Sequence, residues 1–190
     1  MNKAKFGAKV SSELNANNGT QIPIGIRSLW TTECYDAQGN LKWVEKDRPN
    51  VCTTEGINFM LDVMFHNTTA KGTWYVALYK DTAYVPAITD TYDAWAETLV
   101  EECTEYDEAA RVEFVEAAAS SKVTTNSASK ASFTMNGSVT VQGAALVSNS
   151  AKSNHANTDF LFCVSDFALA RSLVSTDILR VTVTVTGADT

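Results

Sequence analysis

The chain has few of the residues that carry out catalysis or bind metal ions. Its 190 residues include only two histidines, His66 and His155, and four cysteines, none of which are spaced as C-x-x-C. The H-E-x-x-H, G-x-S-x-G and phosphate-loop motifs are also missing. We therefore expect a protein that is not an enzyme and that uses no cofactor or metal ion. Its cysteines are expected to be free, buried thiols.

The chain also lacks long apolar runs and an excess of positive charge. No stretch approaches the roughly 18 apolar residues that cross a bilayer, and the N-terminal residues lack the apolar segment of a secretory signal. The formal net charge is −7, whereas nucleic-acid binding depends on basic surface. We therefore expect no membrane partner, no nucleic-acid partner and synthesis in a cytoplasm.

One amphipathic α-helix is predicted at about residues 53–66. Thr53 or Thr54 can cap its first turn, and Glu55 suits the positive end of the helix dipole. The apolar stripe consists of Ile57, Met60, Leu61 and Met64, widened by Phe59, Val63 and Phe65. Because apolar residues occupy most sides of this helix, we expect little of it to face water.

Alternating patterns elsewhere predict about eight short strands. Residues 22–35 and 177–187 alternate apolar and polar side chains, and residues 73–79 are apolar on both faces. The Asn136-Gly137 pair predicts a hairpin between strands at 131–135 and 138–147, with continuation of the chain through a bulge as the alternative. The expected fold is mainly β, an antiparallel β-sandwich or jelly-roll-like domain with one principal helix.

Two further segments differ from this pattern. Residues 81–110 are rich in Asp and Glu, but they lack the D-x-D-x-D-G pattern of a calcium loop. A solvated loop with a short helix near residues 91–100 is favoured over an ion site. Residues 1–20 show no sustained hydrophobic periodicity, which predicts an extended N-terminal arm. The arm is expected to precede a single β-rich domain over residues 21–190.

Four segments follow one another in a characteristic order: the hairpin WTTECYDAQGNLKWVEKDRPN, the helix, aromatic strand and following loop NVCTTEGINFMLDVMFHNTTAKGTWYVALYKDTAYVPAITDTY, then RVEFVEAAASSKVTTNSASKASFTMNGSVTVQGAALVSNS and DFALARSLVSTDILRVTVTVTG. In this order of segments, which covers most of the chain between Trp30 and Gly187, the sequence resembles structural proteins of tailed-bacteriophage virions. Within that class, the chain is most like a capsid decoration, or cement, protein. The resemblance implies a homotrimer on the capsid surface whose partner is the major capsid protein.

The resemblance assigns no capsid contact residue by residue. We expect Lys3, Lys5 and Lys9 to be the basic points of an arm that binds a partner, and Trp30 and Trp74 to serve a subunit interface. A tail, adaptor or baseplate component, which would form rings, remains an alternative. So does a carbohydrate-binding β-sandwich, because aromatic side chains can line a sugar site as well as a core or an interface.

Overall fold

The structure is a computed structural model that describes residues 24–80, 83–154 and 158–189. Two α-helices are present in these ranges: α1 (Thr54–Phe65) and α2 (Tyr92–Ala94), the second continuing as a π-helical turn over Trp95–Leu99. The strands are β1 (Ile24–Tyr35), β2 (Leu41–Pro49), β3 (Val51–Cys52), β4 (Tyr75–Lys80), β5 (Glu102–Cys103), β6 (Val112–Glu113), β7 (Val123–Thr125), β8 (Ala131–Thr134), β9 (Val139–Val147), β10 (Leu161–Leu173) and β11 (Ile178–Asp189).

The strands form two antiparallel sheets that pack as a sandwich. The first sheet has the order β2-β1-β11-β7, with β8 also paired to β11. The second has the order β3-β10-β9-β4-β5, with β6 also paired to β4. This confirms the mainly β fold class and the antiparallel sandwich, whereas jelly-roll connectivity stays a prediction. Eleven strands are described where about eight were expected, because several pairings involve only two or three residues.

The long pair β1 and β11 builds the first sheet as its alternation predicts. Trp30 lies opposite Val183, and Cys34 lies opposite Leu179. These four side chains are at most 1 % exposed, whereas Arg27 and Arg180, on the other face, are exposed. Period-two patterning therefore places the apolar side of both strands in the core between the sheets.

The interior strand β4 of the second sheet is buried on both faces, as its sequence predicts. Val76 and Leu78 belong to the core between the two sheets, whereas Tyr79 belongs to a second cluster on the outer face. That outer cluster is closed by Tyr92 and Trp95, both 0 % exposed. The short helix expected near residues 91–100 is thus confirmed. Within this helix the interpretation of the acidic segment as solvated is wrong, because Tyr92 and Trp95 are buried against β4.

The prediction of a hairpin at Asn136-Gly137 is wrong. β8 pairs with β11 in the first sheet, whereas β9 pairs with β4 and β10 in the second. The chain therefore crosses between sheets at this dipeptide. A type I′ turn needs positive φ at both central residues, and neither Asn136 nor Gly137 has it. Gly39, at φ 82°, does occupy the left-handed region in the predicted β1–β2 turn.

Candidate interaction surface

The N-terminal end of α1 is fixed directly on β10. The Thr53 hydroxyl caps the helix by accepting a hydrogen bond from the Gly56 N–H at 3.0 Å, and it donates to the Leu161 carbonyl. The Thr53 N–H donates to the Phe162 carbonyl at 3.0 Å. A Cβ built on Gly56 would lie 2.6 Å from the Phe162 Cα. Only glycine permits this approach, so the first turn of α1 lies against the strand.

Glu55 adds a second attachment at the same end of the helix. Its Oε2 accepts hydrogen bonds from the Tyr92 N–H at 2.8 Å and the Leu161 N–H at 2.7 Å. Burial raises the pKa of Glu55, and the two backbone hydrogen bonds only partly offset that effect. One carboxylate therefore links α1, α2 and β10.

The C-terminal half of α1 is exposed. Leu61 is 42 %, Met64 64 % and Phe65 78 % exposed, so the expectation that little of this helix faces water is wrong. The close approach at Gly56 orients the side with Gly56 and Phe59 toward the sandwich. At 3.6 residues per turn, the predicted stripe lies roughly a third of a turn away from that side. Large apolar side chains are consequently left in water.

An apolar groove of about 300 Å³ runs between α1 and the sandwich. Met60, Val63 and Met64 form its helical wall, and Trp74 and Phe162 line the opposite side. Apolar residues make up most of the lining, which also includes the charged Lys71 and Glu116. We refer to this groove together with the exposed residues Leu61, Met64 and Phe65 as the α1 surface.

Aromatic side chains pack against one another along the groove. Phe59 stacks on Phe160 with ring centroids 4.0 Å apart, and it meets Trp74 edge-on at 6.0 Å. Trp74 in turn meets Phe162 at 5.7 Å. Such edge-on and stacked contacts are favourable beyond the area they bury. The recess is therefore built from side chains held in place by their neighbours.

A polar network around Asp159 borders the groove. Asp159 accepts hydrogen bonds from Asn149 at 2.7 Å, Ser148 at 3.0 Å and Lys71 at 3.1 Å. Burial alone would raise the pKa of Asp159, but these hydrogen bonds outweigh it and hold the pKa below its ordinary value. Because Lys71 is paired with this carboxylate, the groove presents an apolar recess in which the Lys71 charge is already neutralised.

The sequence-predicted interface residues lie in different surroundings. Lys3, Lys5 and Lys9 lie outside the described residues, as does His155. Trp30 is 1 % exposed, and its indole N–H donates to the Ser28 hydroxyl at 3.1 Å inside the core. Trp74 is half-buried and lines the groove. The interface roles of all five stay predictions, but Trp74 alone among the described ones borders an open surface.

Sequence reasoning missed Met64 and Phe65 as surface residues. Both were assigned to the buried part of the helix, because the pattern was apolar on too many sides to show which side faces the sheet. An available signal was Gly56, the one residue of α1 small enough for close contact with a strand. Placing Gly56 at the centre of the buried face would have left Phe65 on the opposite side.

Within residues 24–80, 83–154 and 158–189, no three His, Cys, Asp or Glu side chains come together as potential metal ligands. In the same part of the chain, no helix is long and apolar enough to span a membrane. No protein-family model matches the chain, and no curated protein matches it either.

Proposed function

We propose that this chain is a non-enzymatic structural protein of a tailed-bacteriophage virion, a decoration protein that binds and stabilises the assembled capsid. The observation that carries this proposal is the α1 surface, where Phe65 is 78 % and Met64 is 64 % exposed, and Met64 also lines the apolar groove. Large exposed apolar side chains and apolar grooves of this kind mark interaction sites. The resemblance of residues 30–187 to virion proteins supports the capsid as the partner.

The shape of the α1 surface suits a protein–protein contact. Phe65 on α1 is 78 % exposed, and the groove between α1 and the sandwich is a recess lined by Trp74 and Met60. Aromatic residues and methionine are enriched in interfaces, and the residues that dominate binding energy fill well-packed pockets. A capsid subunit with one apolar side chain for the groove and one pocket for Phe65 would engage both features.

Mass action explains how such a contact stabilises a shell. A protein that binds the assembled capsid but not its free subunits stabilises the assembled state through its binding free energy. At a free concentration of 100 times Kd, this amounts to about 2.7 kcal/mol per site. Many copies of a modest contact on the capsid surface therefore suffice. The arm with Lys3, Lys5 and Lys9 is proposed to add a further contact with the major capsid protein.

The lining of the groove argues for an apolar partner over a sugar. A carbohydrate needs several polar groups that converge on it. Here the lining is mainly apolar, and Lys71 is already paired with Asp159 at 3.1 Å. The carbohydrate-binding alternative is therefore less well supported by this groove, and glycan titration followed by tryptophan fluorescence would test it directly.

The capsid proposal is tested by co-sedimentation with shells assembled from the major capsid protein of the same genome. We expect the wild-type chain to co-sediment at saturating stoichiometry. The double variant Met64→Ser/Phe65→Ser should bind at least 10-fold more weakly, because each lost apolar anchor of about 1.4 kcal/mol is a factor of ten. Both sites are exposed, so the fold should be retained.

The matched control is Leu169→Ser, which removes a 69 % exposed apolar side chain on β10 that does not line the groove. It should bind as the wild type does. Failure of the wild-type chain to co-sediment would reject the decoration proposal. If the wild type and the double variant bound equally well, the capsid contact would lie elsewhere on the chain.

A further inference from the structure

Two cysteines from different strands face each other at one edge of the second sheet. Cys52 on β3 lies opposite Cys163 on β10 in antiparallel register, and both are free thiols. In the next pair along, the Thr53 N–H donates to the Phe162 carbonyl at 3.0 Å. Hydrogen-bonded and non-hydrogen-bonded pairs alternate in antiparallel ladders, so the cysteines occupy a non-hydrogen-bonded pair, with Cα atoms about 4.5 Å apart. Disulfides span Cα separations of roughly 4.4 to 6.8 Å.

The two sulfurs differ in their access to solvent. Cys163 is 0 % exposed, and its Sγ lies 3.5 Å from the Ser28 hydroxyl that donates to it. Cys52 is half-buried and lines a surface cleft together with Asn50, whose side-chain amide lies 3.8 Å from the Cys52 Sγ. A small reagent can therefore approach Cys52 from the cleft. Cys163 lies opposite Cys52 on the neighbouring strand and is shielded from solvent.

The surroundings also separate the four thiols by reactivity. A hydrogen bond from the Cys163 thiol, assisted by Asn50, lowers the pKa of Cys52, whereas burial raises the pKa of Cys163. Burial raises the pKa of Cys34 to about 11 and that of Cys103 to about 12. The thiolate is the nucleophile in exchange reactions. Cys52 is thus the thiol best suited to react first, and Cys34 and Cys103 are protected.

We propose that Cys52 and Cys163 form a redox-active dithiol that closes to an intramolecular disulfide by exchange with a low-molecular-weight disulfide such as oxidised glutathione. The Cys52 thiolate attacks one glutathione sulfur, the glutathione S–S bond breaks, and one glutathione thiolate leaves. The Cys163 sulfur, on losing its proton, then attacks the Cys52 sulfur and releases the second glutathione. Two protein thiols are oxidised by two electrons, and one glutathione disulfide is reduced to two thiols that take up both protons.

The disulfide would join two strands at the point where α1 begins. Cys52 immediately precedes Thr53, the residue that caps α1 and donates to β10. A bond at this position closes a loop of more than half the chain, and cross-links that close long loops restrict the unfolded state most. We expect the oxidised chain to resist denaturation more strongly than the reduced chain. This inference is independent of the proposed capsid function.

The test exposes the full-length chain to buffers of increasing oxidised-to-reduced glutathione ratio, followed by acid quenching, thiol alkylation and peptide mass spectrometry. The expected product has lost two hydrogens, carries a single Cys52–Cys163 disulfide, and retains alkylatable thiols at Cys34 and Cys103. Its urea midpoint should be higher than that of the reduced chain, and a strong dithiol reductant should reverse both changes.

Two variants separate the proposed pair from general thiol oxidation. Cys52→Ser should form no intramolecular disulfide under any of these buffers. Cys34→Ala/Cys103→Ala should form the disulfide as readily as the wild type, and if that variant fails to fold, the wild-type peptide map still decides. A persistent glutathione adduct on Cys52, a disulfide involving Cys34 or Cys103, or four free thiols in the most oxidising buffer would each overturn the proposal.

Discussion

Arg111 and Glu102 form a two-point ion pair inside the protein. The Arg111 Nε lies 2.7 Å from Glu102 Oε1, and its Nη2 lies 2.8 Å from Oε2, with side chains 0 % and 5 % exposed. Arg111 Nη1 also donates to the Tyr92 hydroxyl at 2.7 Å. The planar guanidinium matches the carboxylate with two parallel hydrogen bonds. This pair ties the acidic segment to the outer layer over β4.

Replacement of Arg111 by methionine should destabilise the fold by about 3 to 5 kcal/mol, because it leaves the buried Glu102 carboxylate without its partner. Urea unfolding followed by circular dichroism would measure this loss. The matched control is Lys130→Met, which removes the more exposed pair with Glu33 and should cost no more than about 1 kcal/mol. Equal losses of stability in the two variants would show that burial does not increase the contribution of the Arg111–Glu102 pair to stability.

Gly56→Ala tests whether packing or helix propensity decides the stability of α1. Propensity alone predicts a gain of about 1 kcal/mol for this substitution in a helix. We expect a loss instead, because the new Cβ would lie 2.6 Å from the Phe162 Cα, a backbone atom that cannot rotate away. Asn58→Ala, at an exposed position of the same helix, should be neutral or slightly stabilising in thermal unfolding. A gain at Gly56 would contradict the close contact.

Asp159→Asn tests the pH dependence of the network beside the groove. The pKa of Asp159 is lower in the folded chain than its ordinary value of 3.8, so its contribution to stability is present above that value and disappears as the pH falls through the folded pKa. The difference in the free energy of unfolding between wild type and Asp159→Asn should therefore be largest at neutral pH and shrink as the pH falls below 3.8. Urea midpoints measured across this range would check it.

The control for that experiment is Asp62→Asn, which removes the same charge from an exposed position on α1. The free energy of unfolding of Asp62→Asn should differ little from that of the wild type at neutral pH. A difference for Asp159→Asn that stayed constant with pH would mean that shape, and not charge, accounts for the effect.

The native mass of the purified chain, measured by size-exclusion chromatography with light scattering, bears on the assembly proposal. We expect three times the chain mass, because a trimer accompanies the decoration function that the resemblance implies. A ring of six or twelve would favour the tail or adaptor alternative. The Met64→Ser/Phe65→Ser variant adds a second outcome. A fall to monomer there would assign the α1 surface to contacts between subunits and not to the capsid.

Local patterns were sufficient to predict several elements of this fold. The Thr53 cap and the apolar spacing that follows predict α1 to within a residue at each end, and alternation predicts which faces of β1 and β11 are buried. Each of these features depends on neighbours within one turn of helix or along one strand. The backbone geometry of helices and strands converts such spacing directly into a face.

Contacts between distant parts of the chain were decided only by the tertiary structure. The crossover at Asn136-Gly137, the side of α1 that meets β10 and the pairing of Cys52 with Cys163 all depend on which strands lie side by side. The mainly β sandwich class and the principal helix could be predicted from residue patterns alone, because periodicity and capping act locally. The α1 surface and the dithiol arose from packing, because burial of whole faces selects partners that no local pattern specifies.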